Sequence, residues 1–163
     1  MQKTTLNQLN FEITINAPVA KVWDTMLGQE TYPVWCSEFN MTPESVTWYE
    51  GNWQKGSKIK FLGEDKGNPE QGICGMTSEI AENRLYEFLS IRHLGYVMNG
   101  QEITDTPEIL AIMPSYENYT FEKIDEATTA VRVYMESDPK YTEMFAELWP
   151  KALEKLKEIC EFN

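Results

Sequence analysis

The stretch from Pro139 to Glu161, PKYTEMFAELWPKALEKLKEICE, limits the choice of fold more than any other part of the chain. Phe145, Leu148, Trp149, Ala152, Leu153, Leu156, Ile159 and Cys160 recur at helical spacing and make a broad apolar stripe. Glu143, Glu147, Lys151, Glu154, Lys155, Lys157 and Glu158 take the rest of the circumference. Asp138 followed by Pro139 reads as an N-cap and first helical residue, because the carboxylate accepts a free N–H and proline has none to lose. Such a helix runs about 34 Å at about 1.5 Å per residue, and Pro150 is expected to kink it by removing one hydrogen bond. A stripe this wide needs a concave partner to cover it.

The rest of the chain supplies that partner. Leu9–Asn16 alternates, with Leu9, Phe11, Ile13 and Ile15 on one face, and predicts a strand. Pro18 opens a helix through Leu27 with Val19, Val22, Trp23, Met26 and Leu27 on one side, and Gly28 closes it. A short aromatic segment around Pro33 predicts one or two helical turns. Val46–Tyr49, Ser57–Leu62, Gly72–Ile80, Leu85–Leu94, Tyr116–Lys123 and Thr128–Glu136 read as further strands. Asn99–Gly100 is a two-residue hairpin turn, and PEILAIM from Pro107 predicts a brief helix. Consecutive strands with turn-like links imply an antiparallel sheet, and a sheet of this length curls. The fold class is therefore α+β. Its curved sheet of about seven strands wraps the long C-terminal helix, with one or two short helices after the first strand.

At 163 residues the chain is one domain's worth, 1–163, with an ordinary apolar fraction of 42%. Its net charge of −12 argues against nucleic acid and against anionic membrane surfaces. No run is apolar enough to span a bilayer or to serve as a secretory signal, so a cytoplasmic protein without membrane insertion is expected. Cys36, Cys74 and Cys160 are unclustered and fit free thiols. One histidine and no CxxC or HxxxH spacing predict no metal, and nothing in the chain calls for a cofactor.

Several residues are candidates for chemistry. His93 is the sole histidine, and alternation groups it with Leu85, Glu87, Leu89 and Ile91, opposite Tyr86, Phe88, Ser90 and Arg92. Glu117 shares a face with Tyr119 and Phe121, toward the helix, where a carboxylate must be paired, neutralised or wet. Either side chain is a candidate to orient a ligand or carry a proton, set against a strand-end residue bonded to backbone or water. No acyl-transfer arrangement stands out from spacing, and no G-x-S-x-G occurs. The acid-rich band from Gln101 to Glu126 reads as a solvated face or a partner surface.

The segments FEITINAPVAKVWDTM, GMTSEIAENRLYEFLSIRHLG, NGQE, ENYTF and ELWPKALEKLKEI together resemble the START-like, birch-pollen-allergen-like helix-grip (SRPBCC) superfamily. The resemblance is greatest to the branch named after the activator of the ninety-kilodalton heat-shock chaperone's ATPase (AHSA-type), and it runs from about Leu9 onward. It implies a seven-stranded sheet gripping the helix over a hydrophobic cavity. Members of that superfamily carry lipids, sterols or aromatic compounds, cyclise polyketides, or dock on the chaperone. The glycine-rich loop of the plant branch is absent between Gly51 and Gly56, and the separate N-terminal domain of the chaperone activator is not expected here. The expected function is binding of a small apolar or aromatic molecule between sheet and helix, with Trp35, Met76, Tyr86, Phe88, His93, Glu117, Tyr119, Phe121, Phe145 and Trp149 as the candidate ligand-binding residues. The alternatives are a cyclase- or hydratase-type enzyme using His93 or Glu117 as proton carrier, and a chaperone-associated or homodimeric interaction module.

Overall fold

The computed structural model describes residues 2–162. Its strands are β1 (Asn7–Ile15), β2 (Ser45–Gly51), β3 (Lys58–Asp65), β4 (Cys74–Arg84), β5 (Phe88–Met98), β6 (Gln101–Ile103), β7 (Ser115–Asp125) and β8 (Thr128–Ser137). The helices are α1 (Val19–Leu27), α2 (Tyr32–Cys36), α3 (Pro107–Ile112) and α4 (Thr142–Phe162). One antiparallel sheet runs in the order β1-β8-β7-β5-β4-β3-β2, with β6 paired to the far end of β5.

The inner face of the sheet follows the sequence alternation over much of its width. Phe11 lies opposite Val133, which lies opposite Tyr119, and Ile13, Val131 and Phe121 are in line in the same way. These residues meet Trp149, Ala152, Leu153, Leu156 and Cys160 of α4, together with Val22, Trp23 and Met26 of α1, in one core. Both ends of α4 are tied to β1 or to the residue that follows it. Asn7 Nδ2 donates to Thr142 Oγ1 at 2.9 Å, and Glu161 Oε2 accepts from the Asn16 N–H at 2.8 Å.

The helix termini use few local caps. Asp138 does act as an N-cap: its carboxylate accepts the Lys140 N–H at 3.1 Å over a single 3-10 turn, Pro139–Tyr141, before α4 begins. Pro150 lies inside α4 without interrupting it. At the end of α1 the Leu27 carbonyl accepts from the Tyr49 hydroxyl (2.6 Å) and the Trp53 indole (2.9 Å), side chains brought from the far edge of the sheet. Gly28 is extended there. A Cβ at that position would stand 2.6 Å from Thr31 Oγ1, so close approach excludes a side chain.

Two stretches differ from the sequence expectation. Leu85, Tyr86 and Glu87 form the turn between β4 and β5, with Tyr86 at φ 64°, and the strand runs from Phe88 to Met98. The Leu85–Leu94 segment reads as a strand because its residues are apolar and aromatic, but the hydrogen-bonded pairing of Arg84 with Phe88 closes a tight loop within it. Second, the alternation of β5 breaks at Leu94. Ser78 faces His93 and Thr77 faces Gly95, leaving Leu94 unpaired as a bulge. Beyond it β5 leaves β7, which it pairs from Phe88 to His93, and pairs β6 from Tyr96 to Met98. Gly95 permits this pairing, since a Cβ there would meet the Ile103 carbonyl at 2.2 Å. The Asn99–Gly100 turn joins β5 to β6 with both residues at positive φ, as that dipeptide predicts.

Candidate functional site

The space between α4 and the sheet is divided. Around Trp149, which is 3% exposed, it is filled: the indole stacks on Phe11 (6.1 Å) and meets Trp35 (5.8 Å), Phe39 (5.2 Å) and Tyr119 (6.1 Å). Toward the start of α4 lies a cavity of about 330 Å³. Its apolar wall comprises Leu6, Met76, Ile112, Met113, Met135, Met144 and Phe145, and its polar groups include His93, Tyr96, Ser115, Glu117, Ser137 and Tyr141. The bulge at Leu94 accounts for part of this shape. Without it, Tyr96 would be out of phase with His93. With it, both reach the same cavity, which Ile112 and Met113, from the segment between β6 and β7, also line.

A hydrogen-bonded row crosses the cavity floor on three adjacent strands. Ser78 Oγ lies 2.6 Å from His93 Nδ1, His93 Nε2 lies 3.0 Å from Glu117 Oε1, and the Tyr119 hydroxyl donates to Glu117 Oε2. All of these bonds are satisfied when Ser78 donates to Nδ1 and the Nε2–H donates to an ionised Glu117. The His93 side chain is 7% exposed and that of Glu117 18%, so the carboxylate is the more open member of the pair. Burial, reinforced by the neighbouring Glu117 carboxylate, pushes the Tyr119 phenol well above the ordinary tyrosine range and keeps it a donor. Burial likewise raises Tyr32 and Cys36 well above their usual values, so the Cys36 thiol stays protonated and unreactive. Ser78 is fully buried and bonded to Nδ1, so it orients the imidazole and is closed to an incoming substrate.

The residues singled out from sequence fall into three groups. Met76, His93, Glu117 and Phe145 border the cavity. Tyr119, Trp149 and Trp35 stand behind it as the partition to the packed half, Trp35 with its indole N–H given to the Met26 carbonyl at 3.0 Å. Tyr86, Phe88 and Phe121 lie apart from it. Tyr86 is in the β4–β5 turn, Phe88 lies under the Arg84 guanidinium at 4.8 Å, and Phe121 packs on Trp23 at 4.9 Å in the filled half. Tyr96, Met113, Met135 and Met144 also line the cavity, and Ser78, Ser115 and Tyr141 join the site without having been singled out as binding residues. Strand register could have suggested Ser78, which faces His93 directly. No local signal marks the bulge that turns Tyr96 inward.

A curled antiparallel sheet closed by a long C-terminal helix, with short helices after the first strand, is the helix-grip class of α+β fold. Solved structures share it across nearly the whole chain. A protein of Nitrosomonas europaea matches with a TM-score of 0.67 at 16% identity, covering 93% of this chain and 92% of that one. A solution structure from Staphylococcus epidermidis matches with a TM-score of 0.66 at 15% identity, covering 98% and 92%. The Aha1 dimer from Colwellia psychrerythraea matches with a TM-score of 0.63 at 19% identity, covering 96% and 97%. At these identities the likeness is one of fold. No family model matches the chain, and no curated protein does. Among the described residues no helix is long and apolar enough to cross a membrane.

Proposed function

We propose that this is a single-domain, cytoplasmic START-like (SRPBCC) protein, on the AHSA-type branch, that binds a small hydrophobic or aromatic ligand between sheet and helix. The observation that carries the reading is the cavity of about 330 Å³, methionine-rich and apolar with the Glu117 carboxylate at its floor. Pockets for small molecules have this composition: an apolar body with a few placed polar groups, in volumes from about 300 Å³ upward. Methionine side chains adapt to ligands of irregular shape. Each ring or branched aliphatic group the cavity buries would contribute about 1.5–3 kcal/mol before ordering costs.

Native mass spectrometry of freshly purified protein tests the proposal. A co-purified small molecule that Met144→Trp displaces supports it, and a protein that takes up no apolar probe in either form sinks it.

A second reading is supported by the position of Glu117, hydrogen-bonded to His93 and open to the cavity: a proton-transfer enzyme of cyclase or hydratase type. Glu117→Gln that abolishes turnover of a bound compound while sparing its affinity would favour it. The Colwellia neighbour is an Aha1 dimer, and on that analogy self-association or chaperone docking is a third reading. Sedimentation with and without the chaperone checks it, and a monomer that binds no chaperone removes it.

A further inference from the structure

We propose that the ligand is a protonated amine on a small aromatic or aliphatic body, an inference that rests on the cavity being a binding site. The carboxylates of Glu117 and Asp138 border the cavity, whereas among the described residues no lysine or arginine does. Glu136 turns its carboxylate to the outer face of β8, beside Tyr134. Glu136 accepts from the Tyr116 N–H (2.9 Å) and the Tyr134 hydroxyl (2.8 Å). Asp138 accepts the Lys140 N–H, with the Lys140 ammonium 3.9 Å away on a side chain that is largely in solvent. His93 is the one basic side chain in the wall. Even as an imidazolium it offsets one carboxylate of two, and as the neutral donor it offsets none.

In a partly desolvated cleft with low-dielectric walls this field acts on a guest more strongly than in bulk water. A fatty acid or phosphate head meets like charge there. A cation supplies the counter-charge the wall lacks, and the phenol rings of Tyr96 and Tyr141 beside the acids add a π face for it. The methionines and Phe145 then take the apolar body. At about 30 Å³ per water the cavity holds about eleven waters, which sets the guest at roughly ten to fifteen non-hydrogen atoms.

Calorimetric titration of 4-phenylbutylamine, 4-phenylbutan-1-ol and 4-phenylbutyrate at low salt separates head-group charge from body. The amine is expected to bind at least about tenfold tighter than the alcohol, and the carboxylate weaker than either. Glu117→Gln should cut the amine's advantage about tenfold while leaving alcohol affinity within about twofold. Asp138→Asn, which keeps an oxygen for the Lys140 N–H, should cut that advantage about threefold and serves if the first variant does not fold. Equal binding of amine and alcohol, tighter binding of the carboxylate, or an amine advantage unchanged in both variants overturns the amine assignment while the binding site stands. If none of the three binds at millimolar concentration, the binding reading falls with it.

Discussion

The two halves of the interface between α4 and the sheet are built differently. Past Trp149 the helix meets α1 and α2, whose Trp23, Met26 and Trp35 fill the concavity alongside Ile15, Phe121 and Val131. Before Trp149 the helix offers Met144 and Phe145 to a wall of methionines and hydrogen-bonded polar groups, with a hollow between. One helix and one sheet make both halves. A curved sheet leaves more room under a straight helix than two rows of side chains can fill, so extra elements must pack there or the space stays open. Here α1 and α2 occupy one half. In the other the space stays open, and the bulge at Leu94 turns Tyr96 toward it.

That contrast predicts unequal responses to the same kind of mutation. Trp149→Ala, in the filled half, should cost about 3–5 kcal/mol through lost burial and an unrelaxed cavity. Met144→Ala borders space already empty and should cost about 1 kcal/mol or less. Urea unfolding of both variants measures the difference, and equal losses would break the division. Enlargement should show the opposite face of it. Ala152→Leu forces a side chain into a packed site and should cost about 1–3 kcal/mol, whereas Met144→Trp should fold with little loss while closing the cavity to probes.

The hydrogen-bonded floor should come next in size. Tyr119→Phe removes a donor to a partly buried carboxylate and should cost about 1.5–3 kcal/mol. The wild-type phenol has a folded-state pKa above its unfolded one. Its contribution is therefore complete below the ordinary tyrosine range, near about pH 10, and is lost as pH rises toward the folded value. Spectrophotometric titration should accordingly show Tyr119 and Tyr32 ionising only with unfolding, and early ionisation of both would mean the floor is wet.

The smallest effect belongs to the outer surface. Hydrogen bonds from Lys58 and Thr77 hold the Glu102 carboxyl below its usual range. A depressed folded pKa gives stability that is present above the unfolded value and lost as pH falls through the folded one. Glu102→Gln should therefore flatten the acid side of the stability profile by less than about 1 kcal/mol, since the group is partly solvated. Thermal melts between neutral and acidic pH check it.

Much of the architecture was legible in the chain. Strict alternation in β1, β7 and β8 predicts which residues face α4, and the facing pairs Glu117–Met135, Tyr119–Val133 and Phe121–Val131 follow it. Asp138–Pro139 marks the entry to the last helix, and Asn99–Gly100 marks a hairpin, because both signals lie in local backbone chemistry. The segment around Leu85 to Leu94 was misleading. Its apolar residues carry the strand signal, and nothing local distinguishes a three-residue loop at Leu85–Glu87 from strand.

Composition and periodicity, then, determined that a curled antiparallel sheet must cover a long amphipathic C-terminal helix, since side-chain periods of two and 3.6 are properties of the chain alone. They also put Glu117 on the helix-facing side. Only the tertiary structure decided that His93 would be its partner, that Ser78 would orient the imidazole, and that Tyr96 would swing into the same cavity. Those outcomes depend on inter-strand register and on a single unpaired residue, Leu94, whose position is settled by how neighbouring strands twist and part.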